Sequence, residues 1–133
     1  MTRINSNLDP KALKRMHLIA ELREITMVPA ALRRSLRTKT PKDILASIPK
    51  KFTLNAGHVR FFYDKQAFLH RRFTMLALEM IRRGYKPDWQ RAQAFYGLDP
   101  MWLNDWESTP EDDNIVIERI NQRIAEKPHL YKD

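Results

Sequence analysis

Pro10-Lys11-Ala12-Leu13-Lys14-Arg15-Met16-His17-Leu18-Ile19-Ala20-Glu21-Leu22-Arg23-Glu24-Ile25, running on to Arg37, is the stretch that decides the fold. Asp9-Pro10 reads as a helix start: a carboxylate able to accept from free N–H groups, followed by proline at the first helical position. Leu13, Met16, Ala20, Met27 and Ala31 recur at spacings of three, four and seven, an apolar stripe of helical period that Leu18, Leu22 and Ile25 widen. Pro29 removes one helical hydrogen bond, so a kink or a restart is expected just before it. Glu21 and Glu24 are the only acids between residues 10 and 37, amid Lys11, Lys14, Arg15, Arg23, Arg33, Arg34 and Arg37. An acid kept on so basic a helix is either a surface ion pair or a catalytic group.

The rest of the chain predicts an all-α fold. Thr38 to Phe52 is a Lys/Pro-rich connector in which Pro41 opens a short helical turn through Leu45. A second strong helical pattern follows Gly57-His58 and runs to Arg83, with Val59, Phe62, Phe68 or Leu69, Phe73, Leu76, Met80 and Ile81 on its apolar face. Read as one helix it is nearly 40 Å long at roughly 1.5 Å per residue, and Gly84 is its stop. His58, near its start, reads first as a packing or capping residue. Pro87, Gly97, Pro100 and Pro110 cut the next stretch into short pieces, and Trp89, Phe95, Tyr96, Trp102 and Trp106 read as core there rather than as a base-stacking surface. Asp112, Asp113 and Asn114 are expected to cap a last helix through Lys127, with Val116, Ile117, Ile120 and Ile124 inward. The expectation is one compact domain, residues 1–133, of about three main helices with an extended N-terminal arm packed back along the first.

Composition narrows the function. At 133 residues and 43% hydrophobic content the chain can bury a core without staples. It has no cysteine, which removes disulfides, thiolate zinc sites and iron–sulfur clusters. Its four histidines, at 17, 58, 70 and 129, form no metal-ligand motif, so neither a metal nor a cofactor is expected. The N-terminus lacks the apolar core of a signal peptide and no run is long enough to span a membrane, so a cytosolic protein is expected. Residues 1–91 hold 20 Lys+Arg against 7 Asp+Glu, a net +13, and residues 92–133 hold 4 against 9, a net −5. That asymmetry points to a polyanion, above all nucleic acid, with a merely solvated basic surface as the alternative.

The usual enzyme signatures are missing: no Gly-x-Ser-x-Gly, no phosphate-binding glycine loop, no paired-histidine zinc motif. What remains is the α-amine that removal of Met1 leaves on Thr2, together with the carboxylate of Glu24. Residues 2–9 reach about 25 Å when extended, at roughly 3.3 Å per residue. Asp9 to Glu24 is about 22 Å along a helix, so an arm doubling back brings Thr2 beside Glu24. An α-amine titrates at about 7.7–8.0, so a useful fraction is neutral near pH 7. A neutral amine can attack a sugar C1′ and form an imine as the base leaves. The carboxylate can stabilise the cationic sugar and then move protons during ring opening and loss of the 3′ phosphate.

Four blocks, Thr2-Arg3-Ile4-Asn5, His17-Leu18-Ile19-Ala20-Glu21-Leu22-Arg23-Glu24, Gly57-His58-Val59-Arg60-Phe61-Phe62-Tyr63-Asp64-Lys65 and Ile124-Ala125-Glu126-Lys127-Pro128, resemble phage-type pyrimidine-dimer DNA glycosylases, the small ultraviolet-repair enzymes called endonuclease V. The resemblance implies a compact all-α fold, combined glycosylase and abasic-site lyase activity, and damaged double-stranded DNA as the partner of a monomeric protein. It puts the amine nucleophile on Thr2 and the catalytic carboxylate on Glu24. DNA contacts fall on Arg3, His17, Arg23, Arg119, Arg123, Tyr131 and Lys132. The chain departs from the family pattern at Met16, at Ile25-Thr26-Met27, and in a tail with a single aromatic residue, Tyr131. The leading substrate is the pyrimidine dimer. The alternatives are another modified or lost base, or a non-catalytic DNA-binding protein on the same scaffold.

Overall fold

A computed structural model describes residues 2–131, and these are helical with no strand; a single antiparallel bridge pairs Lys65 with Leu103. The α-helices are α1 (Arg15–Glu24), α2 (Met27–Leu36), α3 (Pro41–Ala46), α4 (His58–Phe61), α5 (Gln66–Arg82) and α6 (Pro110–Glu126). Short 3₁₀ turns at Pro10–Ala12, Trp89–Phe95, Pro100–Trp102 and Pro128–Leu130 fill the connections.

The expected first helix is three pieces. Asp9 does cap and Pro10 does sit at the first position, but they open only a 3₁₀ turn, and α1 starts at Arg15. The chain breaks again at Ile25-Thr26. Pro29 then falls in the first turn of α2, where a missing N–H costs nothing because the first four N–H groups of a helix have no partner inside it. The inward face also differs from the stripe read in the sequence. Met16 and Met27 are nearly half exposed, while Leu18, Leu22 and Ile25, with Val28 and Leu32 of α2, are sealed in the core.

The second long helix is interrupted too, between α4 and α5. Its backbone carbonyls at the break are met by side chains: Lys65 Nζ donates to Phe61 O at 2.8 Å, and buried Gln66 Nε2 donates to Tyr63 O at 3.1 Å. What remains, α5, spans about 25 Å at roughly 1.5 Å per residue. Gly84 stops it as expected, at φ 91°, with Tyr85 N–H reaching back to Met80 O and Gly84 N–H to Ile81 O. Phe68, Leu69, Phe73, Leu76 and Ala77 of α5 pack against α1 to form the centre of the core.

The last helix starts earlier than Asp112. Thr109 caps it and Asp112 closes a reciprocal box with Thr109, Pro110 taking the first helical position. Of its expected inward residues Val116 is buried, whereas Ile117 lies 41% exposed. The aromatic group splits likewise. Phe95 and Trp102 are core and Trp106 is half-buried, but Trp89 and Tyr96 face outward.

Candidate active site

Residues 2–5 are an extended arm that turns at Ser6-Asn7, and the arm is not draped over α1 but built into the molecule. Ile4 is fully buried, and Asn5 and Ser6 are nearly so. Three successive arm N–H groups find side-chain acceptors. Arg3 N–H donates to Glu24 Oε1 at 3.0 Å, Ile4 N–H to His58 Nε2 at 2.9 Å, and Asn5 N–H to Glu21 Oε2 at 3.3 Å. The alternation is that of an extended chain: residues 3 and 5 face α1, and residue 4 faces the opposite wall. Because Arg3 meets Glu24 and Asn5 meets Glu21, the arm runs antiparallel to α1.

Glu21 is therefore no surface acid. It is sealed from water, accepts the Asn5 side-chain amide at 2.8 Å, and makes a two-pronged ion pair with Arg72 of α5 at 2.8 and 3.0 Å. Arg72 also donates to Leu8 O at 2.5 Å, so one guanidinium holds Leu8 directly and Asn5 through Glu21. A buried pair of this kind is maintained only when further hydrogen bonds satisfy both partners, which Asn5 and Leu8 supply here. Ser6 turns the chain at φ 58° and donates to Asp113 Oδ1 at 2.5 Å, fastening the arm to the first turn of α6.

Two cavities flank Arg3. The smaller, about 280 Å³, lies between the arm, α1 and α6, and holds Glu24, His17, Arg119, Arg123 and Tyr131 on its walls. His17 and Tyr131 stack there with ring centroids 4.5 Å apart. The larger, about 760 Å³, opens on the other side of the arm, between Thr2, the 52–60 loop and the outer face of α6. Arg3 and Arg119 border both. Burial lowers the Arg3 pKa from its ordinary value, the positive fields of Arg119 and Arg123 lower it further, and Glu24 opposes them. Arg119 keeps a buried Nε with no hydrogen-bond partner among the described residues. Three guanidiniums around one carboxylate form a site whose charge suits a phosphate-bearing ligand. Thr2 lines the larger cavity, next to Arg3 in the chain, its hydroxyl donating to Met27 Sδ at 3.4 Å. Among the described residues no three His, Asp or Glu side chains gather as metal ligands, and no helix is long and apolar enough to cross a membrane.

The structure thus brings together Arg3, His17, Glu24, Arg119, Arg123 and Tyr131 around the smaller cavity, while Thr2 lines the larger one, which shares only Arg3 and Arg119 with it. Arg23 is exposed on α1 and borders neither cavity, and Lys132 and the processing of Met1 lie outside the described residues. Asn5, Met16 and Ile120 line the smaller cavity, and Arg60 the larger, without a role assigned from the sequence. Met16 and Ile120 had been given to an apolar helix face, whose edge is in fact the cavity wall.

A family model described as pyrimidine dimer DNA glycosylase matches residues 1–92. The chain belongs to that family. Membership of the pyrimidine dimer DNA glycosylases implies DNA glycosylase activity and DNA as the substrate. The match takes in the arm, the glutamates of α1, the His58 loop and all of α5, but ends within the Trp89–Phe95 turn. Arg119, Arg123 and Tyr131 thus reach the smaller cavity from beyond the matched segment.

Proposed function

We propose that the whole chain is a single domain that removes the damaged base at pyrimidine dimers and then cleaves the strand, with the α-amine of Thr2 as nucleophile once Met1 has been removed. The observation that carries this is the Arg3 N–H to Glu24 Oε1 bond, which puts the amine one residue from a carboxylate walled by arginines. The neutral amine attacks C1′, the glycosidic bond breaks, and the base takes the bonding electrons and a proton while staying joined through the dimer to its neighbour. Glu24 stabilises the developing cationic sugar and relays the proton that opens the ring. The Thr2 nitrogen and C1′ then form an imine, which acidifies the protons on C2′. Loss of one of these protons expels the 3′ phosphate by β-elimination, and water returns the free amine.

Arg3, Arg119 and Arg123 hold the phosphates, and His17 with Tyr131 supplies a flat stacked wall beside them. Fixing the amine and the acid in one geometry supplies much of the rate, because the attack becomes effectively unimolecular. Turning a damaged base out of the duplex costs least where stacking is already disturbed, which favours lesions. Arg23, on the exposed face of α1, adds a phosphate contact outside the cavity, and Lys132 adds another from the tail.

The test uses three duplexes, carrying a dimer, an abasic site or neither, with and without borohydride. Strand cleavage at the dimer and the abasic site, and a covalent adduct only with borohydride, is the expected outcome. Tight binding to all three without cleavage would make the chain a non-catalytic DNA-binding protein.

A further inference from the structure

His58 lies across the arm from α1, and its hydrogen bonds define it completely. Nδ1 is 2.7 Å from Thr53 O, an atom that only accepts, so Nδ1 carries the proton. Nε2 is then a bare acceptor, and it takes Ile4 N–H at 2.9 Å. Phe52 and Phe62 stand edge-on to the imidazole at 5.6 and 5.5 Å and leave it no other orientation. Gly57, just before it, adopts φ 98°, and a Cβ there would come within 2.9 Å of Pro49 Cγ, so the loop that aims the ring tolerates little change.

Ile4 is the middle of the three bonded arm residues, with carboxylates of α1 holding the N–H groups on either side of it. Those two acceptors all lie on one wall. The Arg3 side chain also reaches the opposite wall, donating to Leu54 O at 2.9 Å, and the Thr2 hydroxyl reaches Met27 Sδ, but both hold the arm only through side chains. Without a backbone bond on that wall the arm's main chain can rock about the Arg3–Asn5 line, and the residue displaced most is Thr2, at its end. An acceptor on the opposite wall removes that freedom. We propose that His58 is a positioning residue for the reaction, holding Ile4 so that the Thr2 amine meets the sugar carbon beside Glu24; this rests on the imine assigned to Thr2 above. A core histidine that merely fills space needs only to be satisfied; a positioning histidine needs its Nε2 lone pair.

Two substitutions separate these roles. His58→Gln places an amide oxygen near the Nε2 position and keeps the bond to Ile4 N–H while losing that to Thr53 O. His58→Asn keeps the donor to Thr53 O and loses the acceptor. Imine formation is read as the single-turnover rate of borohydride trapping on abasic duplex at saturating protein, with the DNA Kd measured separately. The expected result is a rate close to the parent protein for His58→Gln and about 10²-fold slower for His58→Asn, the size of a misplaced reacting group, with similar Kd values. An Arg3–Ile4 ester in place of the amide, made by semisynthesis, removes the Ile4 donor and leaves the imidazole untouched, so it decides the matter should the substitutions not fold. Slowing of at least tenfold in the ester supports the proposal. Equal rates for His58→Gln and His58→Asn, or an ester as fast as the amide, would overturn it while leaving the Thr2 chemistry intact. No trapping by the unmodified protein would overturn both.

Discussion

Arg3 and Glu24, 21 positions apart in sequence, are joined by a bond of 3.0 Å from the arm backbone to the carboxylate. Glu24 also lines the smaller cavity. One glutamate therefore does two jobs, docking the arm and presenting charge to the site, and the two are separable by substitution.

Glu24→Gln keeps an oxygen for Arg3 N–H and removes the charge. The arm stays docked and DNA binding survives, while base release and strand cleavage fall by about 10²–10⁴-fold, the usual loss on removing an acid–base group. Single-turnover cleavage alongside a binding isotherm checks this. Near-parental turnover would mean that Glu24 serves only as the docking acceptor.

Arg123 and Arg23 sit on different elements, one on the cavity wall and one outside it. Arg123→Ala is expected to flatten the log Kd against log salt plot by about 0.9 and to slow the chemical step. Arg23→Ala is expected to flatten the plot similarly but to leave the single-turnover rate unchanged. Identical slopes for both variants and the parent would put the docking surface elsewhere.

The Glu21–Arg72 pair is sealed from water, so removing one partner strands the other. Arg72→Met is expected to cost about 3–5 kcal/mol in denaturant unfolding, and the double variant with Glu21→Gln to recover part of that loss. Full additivity of the two substitutions would show that the pair is not coupled.

Acid should act in two steps. Burial is the main force that pushes His58 down to about 4, while its bond to the Thr53 carbonyl pulls the other way. The unfolded chain therefore takes up this proton first, near pH 6.5, and the stability His58 contributes is lost between about pH 6.5 and 4. Glu79 is held at about 2, chiefly by its bond to Arg82 and then by Arg83. Its contribution is present above the ordinary carboxylate range and lost as pH falls from about 5 toward 2. Arg83 also donates to Leu13 O at 2.7 Å, so protonating Glu79 loosens the join between the end of α5 and the turn before α1. Unfolding free energy against pH for His58→Gln should lack the upper slope, and for Glu79→Gln the lower one. A parental slope at pH 4–6.5 in His58→Gln would contradict the first assignment.

The arm's return to Glu24 was legible in outline from lengths, but not its path: the chain turns at Ser6-Asn7, α1 starts only at Arg15, and side-chain acceptors on α1 fix where residues 3 and 5 land. Helical class and the stop at Gly84 were legible from residue chemistry alone. Glu21 was not, because its partner Arg72 is 51 positions away and a charge on an apolar face reads as an interruption of that face. The restart at residues 25–26 was signalled by Pro29, but the break at 62–65 was missed for a related reason. Apolar spacing runs through it unbroken, and the side chains that satisfy it, Lys65 and Gln66, look like ordinary surface residues. In the last helix the run of acids drew attention past Thr109, the residue that caps it. Met16 and Ile120 show the same limit: periodicity says which side of a helix a residue is on, but not whether that side meets core or cavity.

The most direct measurement is the identity of the residue carried by abasic DNA after borohydride reduction, read by digestion and mass spectrometry of the cross-link. The amine chemistry places the reduced sugar on the α-nitrogen of Thr2, in protein from which Met1 has been removed, and predicts loss of that adduct when the N-terminus is acetylated. An adduct of undiminished yield on a lysine side chain, with the N-terminus blocked, would contradict it.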